Sequence, residues 1–424
     1  MARSHKAGLL IIFVTVFIDL LGFGIVLPLL PLYGKHFEAD GWTLGLLMAS
    51  FSAMQFIFAP IWGRVSDRVG RRPILILGLA GSTLCYALFG YATSLGKEGL
   101  LFGLGALTWF FISRIGAGIA GATITTAQAY IADVTGPKER AKGMALIGAA
   151  FGIGFTFGPI LGAAFVSEEI GSAPSAAPGY VASVLSGIAL LSAIFVLPES
   201  LNKESVPVGR HWFDAASFRY ALSRPSVRLI LAMMFLTTFA FAQFETTLSL
   251  LLEDLKLSKR DIFYVFAYIG LILTISQGFL VRRLVPIIGE YRMSLIGASL
   301  MVAGLLLIGV SGQQSHLTML LWVLPISVVG FSAMTTSLLS LLSLSTDASQ
   351  QGGILGFGQS MSSMARILGP LAGIPLFFLD IGYPYWTAAG LMAVALLMVL
   401  GLRSGPTGLN PEEQPVTATS ATPD

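Results

Sequence analysis

Four side chains that ionise lie inside long apolar runs of this chain: Asp19, Arg114, Glu245 and Arg366. Each costs about 2.5–3.5 kcal/mol at the centre of a bilayer on insertion scales. Such charges face a protein interior or a water-filled cavity, and two acids with two bases permit mutual neutralisation. A carboxylate near the midplane that water reaches from alternate sides is a proton carrier. Burial favours its protonated form, whereas a nearby arginine or a bound cation favours its ionised form. Binding of substrate then expels the proton, and return of the proton expels substrate. One charge crossing the membrane supplies about 2.3 kcal/mol per 100 mV, enough to drive uphill export.

Asp19 is the main coupling candidate, because a static buried ion pair rarely repays its desolvation. At about 1.5 Å per residue it lies roughly 16 Å into its apolar run, near the midplane. By the same rise Glu245 lies roughly 27 Å into its run, either as a second acidic site or as a solvated residue of the outer mouth. Arg114 falls outward of centre by a turn or two, where it would modulate Asp19, and pairing of the two stays open. Arg366 either anchors an anionic substrate or balances Glu245. Polar residues that could face a cavity include Gln128, Gln243 and Gln359, with Gln55, Thr125, Gln277, Phe241 and Trp386 as further candidates.

Helices must hold these groups. Only 11% of the 424 residues are charged, 55% are hydrophobic and mean hydropathy is +0.81, whereas a soluble surface needs roughly a quarter of its residues charged. This is the composition of an integral membrane protein. The net charge of +3 gives no sign of a nucleic-acid partner. A single cysteine, Cys85, excludes an internal disulfide, and the four histidines (His5, His36, His211, His316) sit near ends or loops, so neither metal nor cofactor is expected. There is no nucleotide-binding loop and no H-E-x-x-H, so an enzyme is not expected.

Apolar runs recur at about 8–33, 43–63, 74–93, 102–131, 142–166, 179–197, 227–252, 261–282, 293–311, 317–343, 353–378 and 383–402, each long enough to cross a bilayer. The first could pass for a signal peptide, but it runs on through Asp19 to Pro31 without a small-residue cleavage site. Of the 25 Lys and Arg, 18 fall at the two ends or in the links placed inside, five in outer links (Lys35, Lys97, Lys256, Lys259, Arg260) and two within crossings. That bias predicts a cell-membrane protein with both termini cytoplasmic. The organisation read from it is a six-helix bundle over 1–197, a cytoplasmic linker over 198–226 and a second six-helix bundle over 227–403. A disordered tail follows over 404–424. A short amphipathic piece is expected at Trp212–Leu222. GPILG (Gly158–Gly162) and GPLAG (Gly369–Gly373) hint that the halves are repeats, an architecture that places a site at the midplane.

GRVSDRVGRR (Gly63–Arg72) is the most specific motif. Gly63 and Gly70 let two helix ends turn tightly, and Asp67 with Arg68, Arg71 and Arg72 can lock one bundle against neighbouring helix ends. A basic loop that only sets orientation needs no ordered Gly, Asp and Gly, so a gating role is read here. In GAAFGIGFTFGPILG, Gly148, Gly152, Gly158 and Gly162 permit close helix approach, and Pro159 weakens the local ladder, so a hinge is expected. In DLLGFGIVLPLLP, Gly22 and Gly24 do the same and Pro28 and Pro31 bend the outer half.

The Gly63–Arg72 stretch resembles the signature between helices two and three of the major facilitator superfamily. With Asp19–Pro31, Ser113–Thr135 and Gly148–Gly162, the first half is similar to the twelve-crossing drug:proton antiporters, the tetracycline exporters among them. The resemblance implies an all-α fold of two pseudo-symmetric six-helix bundles and makes Asp133 the partner of the basic residues of the 63–72 loop. Together these point to a proton-coupled antiporter exporting small amphiphilic organic compounds, expected to be a monomer. The runner-up is a carrier of organic anions that uses Arg114 and Arg366 without proton coupling. A non-transporting scaffold would have little use for four intramembrane charges.

Overall fold

A backbone in hydrocarbon keeps its hydrogen bonds only as a helix or a closed barrel, and every expected crossing is helical. The computed structural model describes the backbone of residues 2–135, 140–201, 223–346 and 351–403, with side chains from 12–135, 148–201, 223–346 and 353–402. The crossings of the first half are α1 (Ala2–Val26, resumed at Leu29–His36), α2 (Gly41–Val69), α3 (Arg71–Ser94), α4 (Ala106–Gly121, resumed at Ile124–Val134), α5 (Arg140–Ala163) and α6 (Ala177–Val196). Those of the second are α7 (Pro225–Asp254), α8 (Lys259–Ile275, continued through Arg282–Ile288), α9 (Glu290–Gln313), α10 (Leu317–Leu344), α11 (Gln351–Leu379) and α12 (Tyr383–Arg403). Among the described residues eleven helices are long and apolar enough to span a bilayer, and Gly148–Ala163 of α5 is a shorter apolar helix. Trp212–Leu222, His211, most of the linker and the 404–424 tail lie outside the described residues.

Several helices depart from regularity. Pro28, which has no N–H to donate, coincides with the break in α1. In α4 the Thr123 hydroxyl donates to the Ala120 carbonyl at 2.9 Å, competing with the ladder where the helix breaks. Within α8, Ser276–Val281 winds as a π-helix. The fourth crossing, expected from 102, starts at Ala106, because β1 (Leu100–Leu101) and β2 (Leu104–Gly105) form an antiparallel hairpin of apolar residues before it. The second, expected to end at 63, continues to Val69.

Packing repeats with a shift of six helices. In the first half α1 packs on α5 and α6, and α3 on α4 and α6; in the second α7 packs on α11 and α12, and α9 on α10 and α12. The halves meet through α2 with α11 and α5 with α8, a pair of contacts that the same shift interchanges. Gly70 and Gly289 repeat as well: each precedes the third helix of its half, at φ 118° and 82°.

We call the end that carries Gly63–Arg72 the motif end and the opposite one the far end. Polar contacts tie the halves together at the far end. Lys35 pairs with Glu253 at 2.9 Å, Arg260 pairs with Glu168, and the Lys259 amine donates to the Ser172 carbonyl. Close glycine contacts reinforce them: a Cβ on Gly41 would lie 3.1 Å from Pro375 Cα, and one on Gly45 3.0 Å from the Pro370 carbonyl.

Candidate functional site

A cavity of about 540 Å³ lies between the two halves. Its lining comes from both: Asp19, Phe23, Phe51, Tyr86 and Gln128 from the first, Phe241, Glu245, Phe331, Gln359 and Arg366 from the second. Gln128, Gln277 and Gln359, which line it toward the motif end, are exposed, whereas the far end is closed by the contacts above. The cavity therefore opens at the motif end.

Asp19 points from α1 into this space. The Ser186 hydroxyl of α6 donates to its carboxylate at 2.5 Å, and Ser82 of α3 hydrogen-bonds to the same group. Nothing in the sequence separates these two serines from others; their importance comes from α6 and α3 packing where α1 turns its carboxylate. Glu245 lines the same cavity rather than an outer mouth. Counted from the helix starts rather than from the apolar runs, the two carboxylates fall at similar positions. Asp19 lies 17 positions after Ala2 (19 − 2) and Glu245 lies 20 after Pro225 (245 − 225), so both reach comparable levels.

Arg114 and Gln243 both lie away from the cavity lining, which corrects the expectation for Gln243. Arg114 is only 2% exposed and does not line the cavity. Its guanidinium lies 4.4 Å from the centroid of the Phe51 ring and 5.9 Å from that of Phe23, so aromatic faces separate it from the open space. Such a cation–π arrangement is worth about 2 kcal/mol when desolvated. Its Nε is buried without a hydrogen-bond partner, and no ion pair joins it to Asp19 among the described residues. Tyr86 is near enough to sense both charges. Gln243 is 1% exposed and faces a helix interface, where its amide oxygen accepts from Thr387 at 3.2 Å and its side chain packs on Gly373. Thr125 bonds to the Ala59 and Ala122 carbonyls, and Trp386 packs on Gly309, so neither lines the cavity.

Arg366 and Glu245 sense each other's charge but form no ion pair within 4.0 Å among the described residues. The guanidinium is exposed into the cavity. A stack of Phe241 on Phe331, with centroids 3.7 Å apart and planes 11° from parallel, forms part of the same wall. Among the described residues no cluster of three or more His, Cys, Asp or Glu is placed to hold a metal.

At the motif end, Arg71 is the hub. It is 7% exposed, pairs with Asp67 at 2.5 Å and with Asp133 at 3.1 Å, and donates to the Ser66 hydroxyl at 2.7 Å. Glu199, which follows α6, accepts from the backbone N–H groups of Arg71 and Arg72 at 2.8 and 3.1 Å and so closes the start of α3. The Arg72 guanidinium donates to the Ile194 carbonyl at 2.6 Å, and the Ser200 hydroxyl to Asp133 at 3.1 Å. Arg68 is exposed on the last turn of α2. Gly63 makes no turn, because it sits within the continuous α2 with only Thr125 nearby, at 4.0 Å. Glu199 and Ser200 escaped the sequence reading, although the acid in PES directly after a crossing was a visible signal.

On α5 the small residues are contact points. A Cβ on Gly158 would lie 2.8 Å from the Leu21 carbonyl and 2.9 Å from Gly24 Cα, and the Pro159 ring lies against Gly24. Gly152 faces Thr274 and Gly162 faces Phe263, both across the divide between halves. In the second half Gly369 presses on Ala242 of α7 in the way Gly158 presses on α1.

Residues 12–370 match the family model described as Major Facilitator Superfamily. The chain is 31% identical over 403 residues to Multidrug resistance protein 2 of Bacillus subtilis (strain 168), covering 93% of this chain and 94% of that protein. It is 30% identical over 376 residues to Tetracycline resistance protein, class C, of Escherichia coli, covering 87% and 89%. Among solved structures the human organic anion transporter MFSD10 (TETRAN) matches with a TM-score of 0.65 at 27% identity, over 93% of this chain and 99% of that one. A D-xylose-proton symporter reaches a TM-score of 0.74 at 16% identity over 93% and 97%, a likeness of fold alone.

Proposed function

The chain belongs to the Major Facilitator Superfamily, and from that premise we propose that it is a proton-coupled antiporter exporting amphiphilic organic compounds by alternating access. Membership makes it a transporter. The observation that carries the finer reading is Asp19: a carboxylate in the wall of the inter-bundle cavity, approached by two serine donors and by no cation within 4.0 Å among the described residues. Such a group holds either a proton or a cationic ligand, and the two compete for one site.

The positive-inside bias puts the motif end in the cytoplasm of a cell-membrane protein. The cavity is then open inward, and substrate enters from the cytoplasm as the Asp19 proton leaves. Opening outward requires the far-end contacts to part and the halves to close around Gly63–Arg72. An outside proton then reloads Asp19 and displaces the substrate. Glu245 is a second acidic site, and Arg114 acts from behind Phe51 and Phe23 rather than by pairing. Gln128 and Gln359 offer hydrogen bonds to the ligand, and a monomer suffices for this cycle.

The test is uptake into proteoliposomes under an imposed pH gradient. Asp19→Asn is expected to abolish gradient-driven accumulation while the purified protein still melts cooperatively; accumulation that survives the substitution overturns the reading. A second reading, an organic-anion carrier without proton coupling, is favoured by Arg366 facing the cavity and by the likeness to a human organic anion transporter. It rests on Arg366 alone, since Arg114 does not line the cavity, and it requires uptake that ignores the gradient and is lost in Arg366→Gln.

A further inference from the structure

Three acidic or basic side chains face one cavity from two bundles, and none of them is in an ion pair among the described residues. Asp19 comes from α1, and Glu245 and Arg366 from α7 and α11. The hydrogen bonds to Asp19 come from neutral serines, so its carboxylate still lacks a cation. Glu245 lies within the field of Arg366 but beyond 4.0 Å, so it screens the guanidinium without occupying its hydrogen-bonding face. A purely cationic ligand leaves Arg366 unpaired, and a purely anionic one leaves Asp19 holding its proton, so that nothing in the ligand expels it. Each unpaired charge in a confined, partly apolar space weakens binding, because sites built to pair a group reject ligands that lack it.

The walls carry shape information. Phe241 and Phe331 present a flat stacked pair from the second half. Phe23 and Phe155 stand edge to face across the first, with centroids 5.8 Å apart. Stacked and edge-on rings of this kind favour a planar aromatic body, and about 540 Å³ suits a drug-sized molecule. We propose that the preferred substrates are flat aromatic zwitterions, with the anionic group on Arg366 and the cationic group on Asp19, so that one ligand bridges the two bundles. This rests on the antiport reading and names the substrate class that reading left open. Proton coupling follows from the same contact, since the ligand's cation and the transported proton occupy the same carboxylate. The anion contact on Arg366 adds selectivity without touching that competition.

The probes are a naphthoic acid bearing a piperazine, its methyl ester and its N-acetyl derivative, which present both charges, the cation alone and the anion alone. Binding is measured by calorimetry on the purified full chain. The zwitterion is expected to bind about tenfold or more tightly than either single-charge derivative, the effect of one charge-assisted hydrogen-bonded pair. In Arg366→Gln the acid-to-ester affinity ratio is expected to fall to about one, and in Arg366→Lys to an intermediate value, which also guards against misfolding of the first variant. Equal affinity of acid and ester for the unmodified chain, a ratio unchanged in Arg366→Gln, or no binding of any of the three overturns the proposal. Gradient-driven uptake of the ester without any preference for the acid leaves antiport standing and removes the zwitterion. Preference for the acid with no response of uptake to the gradient does the reverse.

Discussion

Gly70 shows how little freedom one residue has at the motif end. Its φ of 118° and ψ of 156° lie where side chains cost about 1–3 kcal/mol, and an added Cβ would fall 2.5 Å from the Glu199 carboxylate. That carboxylate meanwhile accepts two N–H groups at the start of α3, a contact of the kind worth about 0.5–2 kcal/mol. Gly70→Ala and Glu199→Ala are each expected to lower the thermal midpoint of the detergent-purified protein. Their combination should lose less than the sum, because removing Glu199 also removes the clash. Strict additivity in this double-mutant cycle would mean that Glu199 is not what Gly70 accommodates. Residue types were legible here more readily than directions. Asp19, Glu245 and Arg366 stand out as charges in apolar runs, and all three line the cavity. Arg114 carries the same signal, and Gln243 that of a polar residue in such a run, but they turn toward aromatic faces and a neighbouring helix, which no spacing reveals.

At the scale of elements, the glycines of α5 separate two accounts, a bend and a contact. A Cβ on Gly158 would lie 2.8 Å from the α1 backbone, whereas one on Gly148 of the same helix would meet nothing within 4 Å. If close packing is the role, Gly158→Ala should destabilise the protein by about 1–3 kcal/mol through forced separation of α1 and α5. Gly148→Ala should be neutral or stabilise by up to about 1 kcal/mol, since alanine suits a helix better. Equal melting of both variants, with Gly158→Ala altering only the transport rate, would favour the hinge instead. Composition revealed where the crossings are, because apolarity over about 20 residues has few other uses. It could not reveal the break at Ala122–Thr123 or the π-helical Ser276–Val281. Those depend on local side-chain hydrogen bonds and on neighbours distant in sequence. Residues 102–105 of the Leu100–Gly105 hairpin fall in the apolar run of a crossing because they are as apolar as those of a span.

Across the whole molecule, the six-helix shift interchanges the α2–α11 and α5–α8 contacts; in the proposed alternating-access cycle the two bundles rock about that relation, and the far-end contacts hold one extreme. Lys35–Glu253 and Arg260–Glu168 join the halves through side chains that are partly solvated, with Glu253 36% and Glu168 70% exposed. Pairs of that kind contribute about 0.2–1 kcal/mol each. In the proposed cycle they would bias the equilibrium between open ends without fixing it. Neutralising both acids, Glu253→Gln with Glu168→Gln, is expected to raise the far-end-open population by roughly two- to thirtyfold, for about 0.5–2 kcal/mol lost. Spin labels at Glu98 and Gln314, on far-end loops of opposite halves, report the separation once Cys85 is replaced by serine. The long-distance fraction should grow in the double variant at low salt. At about 1 M salt, where screening acts within about 3 Å, the unmodified protein should move toward the variant's distribution. Identical distance distributions at both salt concentrations would show that glycine packing of α2 on α11, rather than charge, holds the far end shut.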